Sequence, residues 1–580
     1  MLDFRNINTL WSSILVETLF RLGLKNAVIC PGSRSTPLTI AFAAHNHINA
    51  TPVLDERSAV FFALGIAKRT HIPVALVCSS GTAAANFLPG VIEAQETGVS
   101  LIILTADRPP ELRHCHAGQT TDQIKLYGNY PNWYTELAIP EANNEMLIYL
   151  RQNMVQAWEK SLFPYQGVVH LNCPFREPLA PIIDSKFKAF SNKIDYKNFF
   201  DHLDKDNFII NEISQKNSEL EKLLPVKGII IAGLAQPKYP KKYCQEIAFL
   251  ADKLQFPVLA EALSPVRNYA SLNPNLITTY DTILRDTQQV AKLQPEVIIQ
   301  IGELPTSKQL RQWIAQTSAS RYIIAPNQEN FDPLHGKTIH LRTSVADFIN
   351  RVTTLDTDCQ YLKTWCEIEH KTQKAIATLL NPLETLYEGK AAWLISQNLP
   401  PQTPIFFANS MTVRNAEFFW QSNNSEAVAY FNRGANGIDG TLSTALGIAH
   451  SSDRPAVMLT GDLALLHDTN GFLINNHLSG HLTIILINNN GGGIFEILPI
   501  SKFDPPFEEY FATPQNVDFA QLSKTYNVEY QLITDWQQLP PLLNPLPTTG
   551  IRILEIKSDR KKDARWLQKH LWQLRPNSSK

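Results

Sequence analysis

The 580-residue chain reads as an α/β protein built from three open, mostly parallel-sheet domains, and three observations predict this. Short apolar runs alternate with helical stretches over residues 1–180, and the same rhythm returns at 227–349 and at roughly 376–560; such alternation gives parallel sheets covered by helices. The length exceeds one hydrophobic core and, at about 100–200 residues per domain, requires three or four. Finally, the apolar runs Ala456-Val457-Met458-Leu459 and Leu482 to Ile487 flank an apolar-periodic stretch, Thr469 to Leu478, that reads as a helix. A strand–helix–strand crossover makes its two strands parallel. The domains expected are 1–183, 184–355 and 356–580.

In the first domain, Asn8 to Leu22 reads as an amphipathic helix and Asn26 to Cys30 as a strand, with Pro31-Gly32-Ser33-Arg34-Ser35 turning into a helix. The strand Thr51 to Leu54 leads through Asp55-Glu56-Arg57-Ser58 into the helix AVFFALGIAKR. Val74 to Cys78 and Leu101 to Leu104 are further strands, the first followed by the turn Ser79-Ser80-Gly81-Thr82. Pro181 to Lys222 is polar and Lys-rich and reads as linker plus helix.

The middle domain carries strands at Lys227 to Gly233, Val258 to Ala260, Val297 to Ile301 and Tyr322 to Ile324. Its rhythm is Rossmann-like, but it lacks G-x-G-x-x-G, so no dinucleotide is expected. A helical connector precedes the third domain, whose strands are Ile405 to Phe407, Val428 to Phe431, the two of the crossover, and Ile551 to Leu554. The basic tail from Lys557 to Lys580 reads as a solvated helix and end.

A hydrophobic content of 44%, a charged content of 18% and a formal net charge of −2 describe an ordinary globular protein. They give no electrostatic case for nucleic acid or an anionic membrane. The seven cysteines are scattered singly, as reduced thiols would be. The N-terminus carries Asp3, Arg5 and Glu17 and does not read as a signal peptide. No apolar run reaches the roughly 18–20 residues needed to span a bilayer. A cytoplasmic protein is expected.

Parallel strands end at one edge of the sheet, where open α/β folds bind ligands. Gly461-Asp462 follows one crossover strand and Asn488-Asn489-Asn490-Gly491 follows the other, so Asp462 and Asn489 should arrive side by side. A carboxylate, an amide oxygen and the backbone carbonyl of Gly491 are hard oxygen donors, suited to Mg²⁺ that takes its remaining ligands from phosphate and water. Either dipeptide alone would be an ordinary strand-end turn. Together, at this spacing, they resemble the thiamine-diphosphate binding motif.

Three α/β domains with that motif in the third resemble the pyrimidine-binding, central and pyrophosphate-binding domains of the thiamine-diphosphate decarboxylase superfamily. The resemblance implies thiamine diphosphate with Mg²⁺ (or Mn²⁺), the metal held by Asp462, Asn489 and Gly491. It places Glu56 at the aminopyrimidine ring nitrogen N1′ as the catalytic carboxylate, where a single glutamate would otherwise serve the helix dipole. It makes Ile438, in Asn432-Arg433-Gly434-Ala435-Asn436-Gly437-Ile438-Asp439-Gly440, the apolar wedge beneath the bent cofactor. Further cofactor contacts are implied at Ser410, Gly437, Gly461, Leu463, Gly492, Ile494 and Phe495.

Arg34, Arg108, Arg414 and Arg433 each stand just past an expected strand end, and Arg pairs bidentately with carboxylates. Within the superfamily these motifs resemble those of the 2-succinyl-5-enolpyruvyl-6-hydroxy-3-cyclohexene-1-carboxylate (SEPHCHC) synthases, which join 2-oxoglutarate to isochorismate in menaquinone or phylloquinone biosynthesis. The resemblance adds Ser33, Gln119, Lys308, Ser410, Ile494, Phe495 and Leu498 to the substrate contacts. Gly118 and Gln309 depart from the family's commoner Asn before that glutamine and Arg after that lysine. It also implies a homodimer or dimer of dimers with active sites shared between subunits. An acetohydroxyacid synthase or simple 2-oxoacid decarboxylase is the alternative, and its less charged substrates leave the surplus of Arg unexplained. A non-catalytic scaffold would have no use for Glu56 and Asp462 together.

Overall fold

A computed structural model describes residues 2–184, 187, 196–201, 203, 227–352 and 360–574. Three six-stranded sheets organise it, each bringing its loops to one edge. The first contains β1 (Asn26–Ile29), β2 (Asn49–Pro52), β3 (Val74–Cys78), β4 (Leu101–Asp107), β5 (Trp133–Glu136) and β6 (Val168–Pro174), in the order β2-β1-β3-β4-β6-β5. All its pairings are parallel. The order reverses between β1 and β3, so the loops after them open the crevice in which such sheets bind ligands.

The second sheet contains β7 (Gly228–Ala232), β8 (Val258–Ala260), β9 (Leu276–Ile277), β10 (Val297–Ile301), β11 (Ser320–Ile324) and β12 (Thr338–Leu341), in the order β12-β11-β10-β7-β8-β9. The third contains β13 (Pro404–Phe407), β14 (Val428–Phe431), β15 (Ala456–Gly461), β16 (His481–Asn488), β17 (Glu529–Ile533) and β18 (Gly550–Lys557), in the order β14-β13-β15-β16-β18-β17. Its reversal lies between β13 and β15, directly before Ser410 and Asp462.

The chain divides into two compact units. One is Met1–Asn211 with Asn432–Asp453 and Leu466–His481; the other is Glu212–Phe431 with Arg454–Leu465 and Leu482–Lys580. The first sheet belongs to the former unit, the second and most of the third to the latter.

Several expectations are corrected. The crossover between β15 and β16 contains the short helix Asp462–Leu466 and a 3₁₀ helix, Thr469–His477, instead of one α-helix. The parallel pairing survives, with Gly461 opposite Ile487, because a crossover needs length and not a particular helix type.

The first helix, Ile7–Leu22, is not amphipathic: Asn8, Thr9, Ser12, Ser13 and Thr18 are buried beside its apolar residues. They can be buried because they have partners. Asn8 Nδ2 donates to the carbonyls of Arg176 and Pro178 at 2.8 and 2.9 Å, and Thr18 donates to Ile14 O at 2.7 Å. Asn6 caps the helix and reaches the carbonyls of Ala180 and Ile182.

The edge strand β2 ends at Pro52, leaving Leu54 exposed. The basic tail forms the helix Arg560–Gln573, yet Arg560, Asp563, Leu567 and Leu571 are buried, so it is packed and not merely solvated. Residues 575–580 lie outside the described residues, as does most of the linker and helix expected at 181–222.

Among the described residues no helix is long and apolar enough to cross a membrane. Six cysteines are free thiols, and Cys359 lies outside the described residues.

In the first unit the helices Glu56–Thr70 and Thr441–His450 meet backbone to backbone. A Cβ at Gly65 would lie 2.1 Å from Thr444 O, and one at Gly447 would lie 2.1 Å from Phe62 O. Backbone cannot yield as a flexible side chain can. Gly65→Ala should therefore lower the unfolding free energy by about 1–3 kcal/mol, read as an earlier urea midpoint at unchanged slope.

Candidate active site

The parallel register of β15 and β16 brings the residues after each strand together. The backbone N–H of Gly491 donates to Asp462 Oδ2 at 2.8 Å, so the adjacency expected from topology is present. Gly491 has φ 136°, and a Cβ there would lie 2.4 Å from Ala512 O; only glycine lets the loop turn this close.

Asp462 is 4% exposed, and burial pushes its carboxyl up to about 6 although the backbone N–H groups of Gly491 and Leu463 and the Arg560 charge pull it down. A buried carboxylate in that condition is stabilised by a cation. Asn489 Oδ1 is buried without a hydrogen-bond partner, which leaves an amide oxygen free to ligate a metal. A Cβ at Gly461 would meet nothing within 4 Å, leaving room beside Asp462.

Among the described residues no group of three or more His, Cys, Asp or Glu is assembled for a metal. The donors here are one carboxylate, one amide and backbone, a set suited to Mg²⁺ shared with a diphosphate. The residues present fit the expected group.

Neighbouring residues hold this loop. Arg560 donates to Asn490 O at 2.8 Å, to Glu496 at 2.9 Å and to Glu508, tying the C-terminal helix to the turn between Asn489 and Gly491. Glu388 Oε2 accepts from Asn489 Nδ2 at 3.2 Å. Beyond the loop, Ile494 packs against an apolar cluster that includes Phe419 and Leu567. Phe495 meets the Phe511 ring edge-on at 5.8 Å, and Leu498 is exposed. Gly492 donates to Ala512 O at 2.7 Å.

On the far side of the switch point, Ser410 caps the helix Met411–Phe419 with φ 69° and ψ −131°. A non-glycine residue at positive φ stores strain, and the site is where a helix N-terminus offers backbone N–H groups to an anion. Arg414 Nη1 donates back to Ser410 O at 2.6 Å. The same helix is anchored by Glu417, which pairs with Arg267 at 3.0 Å, both about fully buried, and accepts from Ala262 N and Tyr280 OH. Lys308 stands exposed as the first residue of the helix Lys308–Gln316.

The other candidates fall in the first unit. Glu56 opens its helix behind the cap Asp55, whose carboxylate accepts from Ser58 N at 3.1 Å. Burial, and then charges that include Glu56, raise the thiols of Cys30, just past β1, and Cys78, the last residue of β3. The helix start is fixed through its neighbours: Asn470 Nδ2 donates to Asp55 at 2.7 Å, and Arg57 donates to His467 O at 3.0 Å.

The loop carrying Arg433, Gly437 and Ile438 is held by Glu93, which accepts from Gly434 N at 3.1 Å and Ala435 N at 2.7 Å. Ile438 is only half-buried, as a wedge reaching a ligand would be.

Arg34 and Arg108 are neighbours. Burial, and then the Arg34 charge, lower Arg108 from its ordinary value. Arg34 is tied to Phe175 O at 2.9 Å and Glu177 at 3.4 Å. Arg108 donates to Gln119 O at 2.9 Å and to Ser80. The Gln119 side chain donates to Ser80 O at 2.9 Å, so it braces the loop. Ser33 is exposed, its carbonyl accepting from Thr36.

Sequence reasoning missed Glu93, Glu388, Glu417 and Arg560. Their partners lie far away in the chain, and no local pattern marks them.

Residues 11–126 match the family described as thiamine pyrophosphate enzyme, N-terminal TPP binding domain. Residues 203–407 match the middle domain of thiamine pyrophosphate, and 410–548 the thiamine pyrophosphate enzyme, C-terminal TPP binding domain. The chain is 62% identical over 577 residues to the SEPHCHC synthase of Gloeothece citriformis, covering 98% of this chain and 99% of the relative. The chain belongs to the SEPHCHC synthase family.

The synthase of Rippkaea orientalis is 60% identical over 579 residues, covering 99% of this chain and 97% of that one. An X-ray structure of a putative thiamin diphosphate-dependent enzyme isolated from Mycobacterium smegmatis superposes with a TM-score of 0.67 over 95% of this chain and 99% of the other. At 15% identity that likeness speaks for the fold alone. As a member of the SEPHCHC synthase family, the chain is an enzyme of the thiamine-diphosphate class.

Proposed function

We propose that this enzyme decarboxylates 2-oxoglutarate and adds the succinyl unit to the ring alkene of isochorismate, giving SEPHCHC and CO₂ in menaquinone or phylloquinone biosynthesis. The observation that carries the reading is near-full-length identity of 54–62% to proteins named for this product, in a chain where Gly491 N–H bonds Asp462 and the Asn489 amide oxygen is buried without a partner. Bound thiamine diphosphate would supply the electron sink for the carbon–carbon bond that breaks.

The chain's own residues do the rest. Asp462, Asn489 and Gly491 would hold Mg²⁺ (or Mn²⁺) with the diphosphate, and Ser410 would offer its helix N-terminus to the same group. Gly461, Leu463, Gly437 and Gly492 would line the cofactor, with Ile438 as the apolar side chain packed against it. Glu56 holds the proton at N1′. Arg34, Arg108, Arg414, Arg433 and Lys308 bind substrate carboxylates, with Ser33 and Gln119 beside them. Ile494, Phe495 and Leu498 exclude water from the reacting carbons.

Incubating purified protein with thiamine diphosphate, Mg²⁺, 2-oxoglutarate and isochorismate, and following loss of isochorismate absorbance, tests the reading; no loss under these conditions overturns it. Charge-assisted hydrogen bonds are worth about 1.5–3 kcal/mol each. Arg414→Ala should accordingly raise a substrate KM or lower kcat by about tenfold or more in the same assay, and wild-type kinetics for both substrates would make Arg414 a bystander.

We infer three domains near 1–183, 184–355 and 356–580, a cytoplasmic location, and a homodimer or dimer of dimers with shared sites. Glu56 and Asp462 lie in different units of the chain, and two-fold association builds two equivalent sites from one interface. Sedimentation velocity of the 65.3 kDa chain checks the assembly, and a monomer at working concentrations would exclude it.

A further inference from the structure

Glu388 is the first residue of the helix Glu388–Asn398 and is 6% exposed. Its carboxylate accepts from the amide of Asn489 at 3.2 Å; burial raises the carboxyl, and the neighbouring Asn415 and Asn489 side chains pull it down. Both asparagines are buried, and in both the amide oxygen has no hydrogen-bond partner. Asn489 Nδ2 is the donor to Glu388, so this amide presents its NH₂ to the carboxylate and turns its oxygen the other way. For Asn489 that freed oxygen belongs to the residue two positions from Gly491, whose N–H is bonded to Asp462.

An asparagine amide is nearly symmetric in shape, so its two orientations differ only in their hydrogen bonds. Turned one way it offers a divalent cation an oxygen ligand; turned the other way it offers two hydrogens that repel the cation. We propose that Glu388 is a positioning residue that fixes the Asn489 amide with its oxygen toward the metal. The proposal rests on the cation reading of Asp462, Asn489 and Gly491. Partners of this kind behind a metal ligand commonly change metal affinity by about 10–100-fold when replaced.

Glutamine in place of Glu388 keeps the volume but brings an NH₂ that can donate to the Asn489 oxygen, so that amide is no longer held in one orientation. The test is a titration of metal-stripped protein with Mn²⁺ at saturating thiamine diphosphate, with free Mn²⁺ read by electron paramagnetic resonance. E388Q should bind Mn²⁺ about 10–100-fold more weakly than wild type.

Thermal midpoints of the metal-free proteins report folding. Should E388Q not fold, Glu388→Met, which keeps the volume and removes both acceptor oxygens, is expected to show the same weakening. Wild-type Mn²⁺ affinity in the folded Glu388 variant, while D462A has lost it, overturns the positioning role and leaves the cation site standing. Wild-type affinity in D462A as well removes the cation site itself.

Discussion

Asp462→Ala should weaken Mn²⁺ binding, measured at saturating thiamine diphosphate, by about 3–5 kcal/mol, roughly a hundred- to several-thousandfold, and turnover should fall with it. Asp462 is the carboxylate of the expected donor set, and it is 4% exposed; deleting one partner of a buried charge pair leaves the other uncompensated. A structural role makes the opposite prediction for the metal-free protein. Burial holds the Asp462 carboxyl at about 6, above its ordinary 3.8. The folded state therefore binds more proton than the unfolded state between those values, and this group's contribution to stability falls as pH rises from about 4 to about 6. At neutral pH the metal-free fold bears that penalty in full, and alanine removes it. Asp462→Ala should thus be no less heat-stable than wild type without metal, and should lose only the increment that metal and cofactor together supply. A variant that melts early in the absence of both would show the aspartate to be a structural group.

The cation loop was legible because its logic is topological. Two uninterrupted apolar runs mark β15 and β16, a crossover makes them parallel, and parallel strands deliver Asp462 and Asn489 to the same edge whatever lies between. Reading Thr469 to Leu478 as a helix did no harm to that inference, although the segment is 3₁₀. The strand β6 was not legible, although all seven of its residues are buried. His170 and Asn172 interrupt its apolar run, and they are tolerated inside because Thr105 bonds both, at 2.8 and 3.0 Å. A polar residue can be counted as core only when its partner is known, and Thr105 belongs to another strand.

The same reasoning separates the expected site residues from those that hold them. Glu56, Ser410, Asp462 and Asn489 each follow a strand, so position alone nominates them. Glu93 and Glu388 each lie in a helix and act on loops far along the chain, and Arg560 was read with the basic residues around it as a solvated face. What identifies these three is burial of a charge together with its acceptors or donors, a property of packing that no spacing encodes.

Glu56→Gln should lower kcat by about 10²–10⁴-fold, the usual contribution of a positioned general acid or base, while thiamine diphosphate affinity changes little. The magnitude decides between two roles. As a first-turn glutamate Glu56 also opposes the positive end of its helix, a contribution of about 0.3–1 kcal/mol, so losing that alone could alter stability slightly but could not account for a loss of two decades in turnover. Hydrogen exchange at the thiazolium carbon of the bound cofactor, followed by quenched-flow NMR, reads the step directly, and an exchange rate equal to wild type would remove Glu56 from the chemistry. The same variant tests where the two halves of the site meet. Mixed with Asp462→Ala subunits, it should form heterodimers in which one site has both wild-type residues and the other has neither. Random equal mixing makes half the dimers mixed, each with one working site of two, so recovered activity should approach about a quarter of wild type. If verified subunit exchange restores nothing, Glu56 and Asp462 serve a site within one chain.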